Sequence, residues 1–164
     1  MAAISTSLES LNYRGPSGCI ATGLHRQVID GVGATRTLLA EESGSLCLFD
    51  AAAGNVYTLP APVAGMQFEF RNTVAVTSNA AKFITNSASV FLVGSLMSGS
   101  LTVADSGDVF QADGTTIRAV SMAGSTTGGL IGGSMTITAI SSTQWSIEGD
   151  FVGSGTLATP FSTT

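Results

Sequence analysis

From Thr35 onward the chain alternates apolar and polar residues in short runs, each closed by a turn. The clearest run is Met66-Gln67-Phe68-Glu69-Phe70-Arg71, where three large apolar residues alternate with Gln, Glu and Arg. A β-strand points successive side chains to opposite faces, so this run predicts a strand with one buried and one wet face. Trp145-Ser146-Ile147-Glu148, Ile117-Arg118-Ala119 and Met135-Thr136-Ile137-Thr138-Ala139-Ile140 carry the same period. Val90-Phe91-Leu92-Val93 is apolar throughout, which predicts a strand covered on both faces. Ser43-Gly44, Gly54-Asn55 and Asp113-Gly114 read as turn pairs, because Gly, Asn and Asp tolerate positive φ. Pro60-Ala61-Pro62 cannot supply the N–H groups of a central strand and belongs at an edge or in a connection. No window holds a well-capped helix of about ten residues or more. Short strands with turn signals roughly every 8–12 residues predict an all-β fold, a single compact β-sandwich or barrel, jelly-roll-like or β-tulip-like.

Residues 1–34 follow neither period. Ser17-Gly18-Cys19-Ile20-Ala21-Thr22-Gly23 and Asp30-Gly31-Val32-Gly33 are rich in turn formers. This segment predicts an extended N-terminal arm, with a short strand near Gln27–Ile29, on a body formed by residues 35–164. One helical turn over Ser7–Leu11 is the most helix that the segment supports.

Composition turns this fold toward association. Asp, Glu, Lys and Arg make up only 10% of the 164 residues, against roughly 25% in an average soluble domain. Twenty glycines, many Ser, Thr and Ala, and a mean hydropathy of +0.40 take their place. A surface so poor in charge is expected to meet other protein. The net charge of −5 argues against binding nucleic acid, which needs a basic footprint. Arg14, Arg26 and Arg36 outnumber Glu9 and Asp30 in residues 1–36, so a mildly basic arm leads an acidic body. No signal-peptide pattern, no apolar run of about 20 residues and no Asn-x-Ser/Thr sequon occurs. The expectation is synthesis in a cytoplasm with no membrane span.

Candidate chemistry is sparse. His25 is the only histidine, and a Ser-His-Asp arrangement with Asp30 lacks a Gly-x-Ser-x-Gly elbow. Gly128-Gly129-Leu130-Ile131-Gly132-Gly133 resembles a phosphate loop only until its context is read. It has no following Lys-Ser/Thr and precedes a strand, whereas a phosphate loop needs a helix N-terminus. Asp105-Ser106-Gly107-Asp108 offers two carboxylates, with Asp113 nearest beyond them, and Ca²⁺ takes six to eight oxygens. Glu41 and Glu42, read as strand neighbours, would face opposite ways and could not flank one bond. Trp145 reads as core rather than a sugar platform. Cys19 and Cys47 fit no metal spacing and read as buried thiols. The expectation is therefore a non-enzyme with no catalytic, cofactor-binding or metal-binding residues, no cofactor and no small-molecule substrate.

One pattern runs through the body. Leu38-Leu39-Ala40-Glu41-Glu42-Ser43-Gly44 leads to Phe49-Asp50-Ala51-Ala52-Ala53-Gly54, then Tyr57-Thr58-Leu59-Pro60-Ala61-Pro62, then Gly65-Met66-Gln67-Phe68-Glu69-Phe70. Gln144-Trp145-Ser146-Ile147-Glu148-Gly149 completes it. Over about residues 36–152 this order resembles small β-rich virion proteins of tailed bacteriophages, in particular the head decoration (cement) proteins, and also some tail-fibre domains. The resemblance implies a homotrimer bound to the major capsid protein on the outer surface of the expanded head, where it clamps neighbouring capsomers against internal pressure. The arm, which the pattern does not cover, then supplies the capsid contacts, with Tyr13, Arg14, Arg26, Val28 and Ile29 as candidates. A tail-fibre or baseplate domain is the alternative, and a carbohydrate-binding module is a further one, disfavoured by an aromatic content of only 7%.

Overall fold

The computed structural model describes residues 26–31, 34–102 and 107–164, and twelve strands account for most of its regular structure. The first six are β1 (Val28–Ile29), β2 (Thr35–Thr37), β3 (Leu46–Phe49), β4 (Val56–Thr58), β5 (Gln67–Asn72) and β6 (Ala81–Ile84). They alternate between two sheets. β1, β3 and β5 pair in parallel in one sheet, and β2, β4 and β6 pair in parallel in the other. The chain thus makes three turns of a flattened parallel coil.

The remaining strands are β7 (Phe91–Ser100), β8 (Asp108–Asp113), β9 (Ala119–Met122), β10 (Ser134–Ala139), β11 (Gln144–Gly153) and β12 (Phe161–Ser162). They complete a seven-stranded sheet in the order β1-β3-β5-β10-β11-β7-β8 and a five-stranded sheet in the order β12-β9-β6-β4-β2. The hairpin β10–β11 is central: β10 runs antiparallel to β5, and β11 runs parallel to β7. The all-β sandwich matches the fold read from the sequence, with both sheets of mixed pairing.

The period-two runs explain the core. In β5, Phe68 and Phe70 are buried while Gln67 and Arg71 are exposed. Across the inner face of the large sheet, Ile29, Cys47, Phe70 and Met135 stand opposite one another on successive strands. Phe68, Ile137 and Ile147 form the next row, and Ala139, Trp145 and Leu92 the one beyond it. Tyr57 and Phe83 come from the small sheet to meet this face. Phe70 lies at the centre of the contact, with its ring centroid 4.5 Å from Phe83, 5.6 Å from Tyr57 and 5.7 Å from Phe49. The buried Tyr57 hydroxyl donates to the Leu48 carbonyl at 2.7 Å, so its polar end is satisfied.

Several sequence readings change in detail. Glu41 and Glu42 lie in a 3-10 turn, Ala40–Glu42, rather than in a strand. Glu42 is buried, accepting from Arg36 at 2.6 Å and from the Leu39 N–H at 2.8 Å. Val90 and Leu92 are buried, but Phe91 and Val93 are only half-buried, so that run has one covered face rather than two. Pro60-Ala61-Pro62 lies in the connection between β4 and β5, as its chemistry requires. The segment read as arm is built into the body from Arg26 onward, because β1 is hydrogen-bonded to β3 and Ile29 is 1% exposed.

Candidate functional site

Because the residues with chemical potential are dispersed, the candidate site is a surface: the outer face of the seven-stranded sheet and the edge where residues 1–25 join it. Arg26 fixes that junction. Its guanidinium donates to the carbonyls of Gly44 at 2.9 Å and Ser45 at 3.3 Å and pairs with the Glu69 carboxylate. Arg71 donates to the other oxygen of Glu69 at 2.7 Å. Burial works to raise the Glu69 pKa, but the hydrogen bonds and charges of the two arginines outweigh it and hold the group below its ordinary value.

Of the five capsid-contact candidates, Tyr13 and Arg14 lie outside the described residues. Arg26 is at the surface and Val28 is 56% exposed. Ile29 must be withdrawn: the β pleat turns it into the core, so it cannot meet a partner. His25, Cys19, Asp105 and Ser106 also lie outside the described residues. Cys47 is fully buried, and that burial, helped by the Glu42 charge, pushes its thiol up to about 12. It stays protonated and unreactive at neutral pH. Trp145 is fully buried and packs near Phe68, so it offers no face to a sugar.

The glycine cluster serves packing. It forms the turns before β10, and Gly128 lies flat on Phe151, where a Cβ would come within 2.4 Å of the ring. Among the described residues no three His, Cys, Asp or Glu side chains gather as a metal site would require. A shallow cleft of about 450 Å³ is lined by Gly31, Ala34, Ala51, Gly54, Val56, Ala80 and their neighbours, and its walls are mainly apolar.

Asp113 closes the β8 turn. Its carboxylate accepts from the Thr116 hydroxyl and from the N–H groups of Thr115, Thr116 and Ile117, which together hold it well below the ordinary carboxylate value. Asp113 and Glu69 are both ionised in the fold at pH values where the unfolded chain would protonate them. Their stabilisation is complete above the unfolded values of 3.8 and 4.5, and is lost as pH falls through the lower folded values. The melting temperature is therefore expected to drop as acid is added below about pH 4.5, and Asp113→Asn to flatten part of that drop. A melting temperature independent of pH throughout this acid range would contradict the assignment.

Sequence reading missed the exposed apolar side chains of β7 and β8. Met97 is 63% and Val109 60% exposed, and the two are direct cross-strand partners. The signal was present in the adjacent pairs Leu96-Met97 and Val109-Phe110. Two neighbouring apolar residues in a strand cannot both face the core, so one of each pair must point out. Leu96 is buried and Phe110 packs on the core, near the ring of Phe151. Their neighbours are left outside.

No protein-family model, no curated protein and no solved structure matches this chain.

Proposed function

We propose that the chain is a structural protein of a tailed-bacteriophage virion that decorates the outside of the expanded head and cements neighbouring capsomers. The observation that carries this reading is the surface. With only 10% charged residues in the chain, eight large apolar side chains among the described residues are half exposed or more, Leu101, Val63 and Ile131 among them. Such a surface favours permanent contact with other protein. The order of turn and core residues from Leu38 to Gly149, which resembles that of head decoration proteins, supports the same reading. These residues build β3, β4, β5 and β11 and the turns before them.

In this reading the body self-associates, as a homotrimer in the decoration proteins it resembles, and the major capsid protein is its partner. Residues 1–25, with Tyr13 and Arg14, lie across the capsid surface and add backbone hydrogen bonds to an exposed strand edge. Arg26 and Val28 stand at the root of that arm. Several arms on one assembly act together, so weak single contacts sum to tight retention. The chain is made in the host cytoplasm and ends on the outer capsid surface.

Removal of residues 1–25 tests the arm. Because β1 and the Arg26 contacts remain, the truncated protein is expected to keep its melting temperature and lose its sedimentation with expanded shells. A truncated protein that binds as well as the full chain would remove the arm from the account. The second reading, a tail-fibre or baseplate domain, is favoured by the parallel coil of β1 to β6, since such a coil extends by adding further turns.

A further inference from the structure

The outer face of the large sheet carries a row whose chemistry reverses about its centre. On successive strands stand Leu48 of β3, Arg71 of β5, Ser134 of β10, Asp150 of β11 and Met97 of β7, each opposite the next. The order is apolar, cationic, hydroxyl, anionic, apolar. Val109 continues the row on β8, and Leu46 lies beside Leu48 on the same face of β3. Leu46 and Leu48 are half-buried, while Met97, Val109, Asp150 and Arg71 are exposed.

From this row we infer that the outer face of the seven-stranded sheet is a contact surface for a second copy of this chain. Met97 and Val109 of one copy seat on Leu46 and Leu48 of the other, and Asp150 meets Arg71. The charges decide the occupant. The Met97–Val109 end is bordered by Asp150 and Glu148, and the Leu46–Leu48 end by Arg71 and Arg26, which share the single carboxylate of Glu69 and leave that end one positive charge in excess. Each end therefore complements the other in both sign and apolar character. Two like ends would bring carboxylate onto carboxylate, so the pairing of unlike ends is also selected by repulsion. The central row of Ser134, Thr136 and Thr138 bears hydroxyls only, which pack between two sheets without an ionic desolvation cost. Every copy carries both ends, so both are used in any closed assembly.

The inference rests on the self-association in the proposed function, but its test involves no capsid and fails separately. The molecular mass of the full chain in solution, measured by light scattering, is expected to be that of an oligomer. Met97→Asp should reduce it to that of the monomer while leaving the circular-dichroism spectrum of the fold unchanged, because the side chain is exposed within each copy. A second variant removes any doubt about folding. Leu48 and Met97 lie four strands apart within one chain, roughly 19 Å, too far for an internal disulfide. The pair Leu48→Cys with Met97→Cys is thus expected to give chain-to-chain disulfides on oxidation that neither single variant gives. A monomeric full chain, or an oligomer whose mass survives Met97→Asp and whose cysteine pair stays uncross-linked, would overturn the inference.

Discussion

Replacing Phe70 with alanine is expected to cost about 3–5 kcal/mol, a large part of the roughly 5–15 kcal/mol that holds a domain of this kind folded. Phe70 projects from β5 into the gap between the sheets, stacked on Phe83 and Phe49 and edge-on to Tyr57. Phe83 and Tyr57 belong to the small sheet and Phe49 to the large one, so the loss opens a void where the two layers are joined. The three remaining rings cannot close over it, because each is fixed by its own strand. The melting temperature should fall by about 10 °C or more. Phe70→Leu, which retains most of the apolar volume, is expected to fall between wild type and Phe70→Ala. Thermal unfolding followed by circular dichroism checks the order of the three proteins, and equal stabilities would show that the sheets are not joined through this ring.

A second large loss is expected at Gly94, by a different cause. Gly94 lies within β7, paired with Ile147 on one side and Ala112 on the other, at a φ of +127°. A Cβ there would stand 2.1 Å from the Ile147 carbonyl oxygen. Alanine therefore meets both an unfavourable backbone region, worth about 1–3 kcal/mol, and a clash that overpacks the sheet by a further ~1–3 kcal/mol. The strand cannot shift to relieve it, because both neighbours are hydrogen-bonded to it. Gly99, five residues along the same strand, has no heavy atom within 4 Å of its Cβ position. Gly99→Ala is expected to stay within about 0.5 kcal/mol of wild type. Equal denaturation midpoints for the two variants would contradict the close approach of β7 and β11.

These two sites also divide what could be read in the sequence from what could not. Phe70 was legible: Met66 to Arg71 alternates cleanly, and a period of two requires Phe68 and Phe70 to share the buried face. Trp145 and Ile147 were legible for the same reason, and the two prolines after Leu59 excluded a central strand. Gly94 was not legible, since its role depends on a carbonyl 53 residues away in the chain. The parallel coil was hidden too. Side chains alternate identically in parallel and antiparallel strands, so the period gives a strand its faces but never its partner. β2 and β12, three and two residues long, are shorter than any period can reveal, whereas the short strand expected near Gln27–Ile29 is present as β1.

Where the exposed apolar side chains lie across the sheet was not legible. Low charge predicted association, yet composition has no position along a strand. Met97, Asp150, Arg71 and Leu48 fall into one row only after β10 and β11 insert between β5 and β7. Ile29 shows the reverse error, an apolar residue counted as a contact because the arm seemed to include it. Its burial follows from two residues of pairing with β3.

Attachment to an expanded phage head can be measured by co-sedimentation. The purified full chain is mixed with expanded capsids that lack it and, in parallel, with unexpanded procapsids. Saturable binding to the expanded shell alone is expected. Binding to neither shell would contradict it and favour the tail-fibre reading.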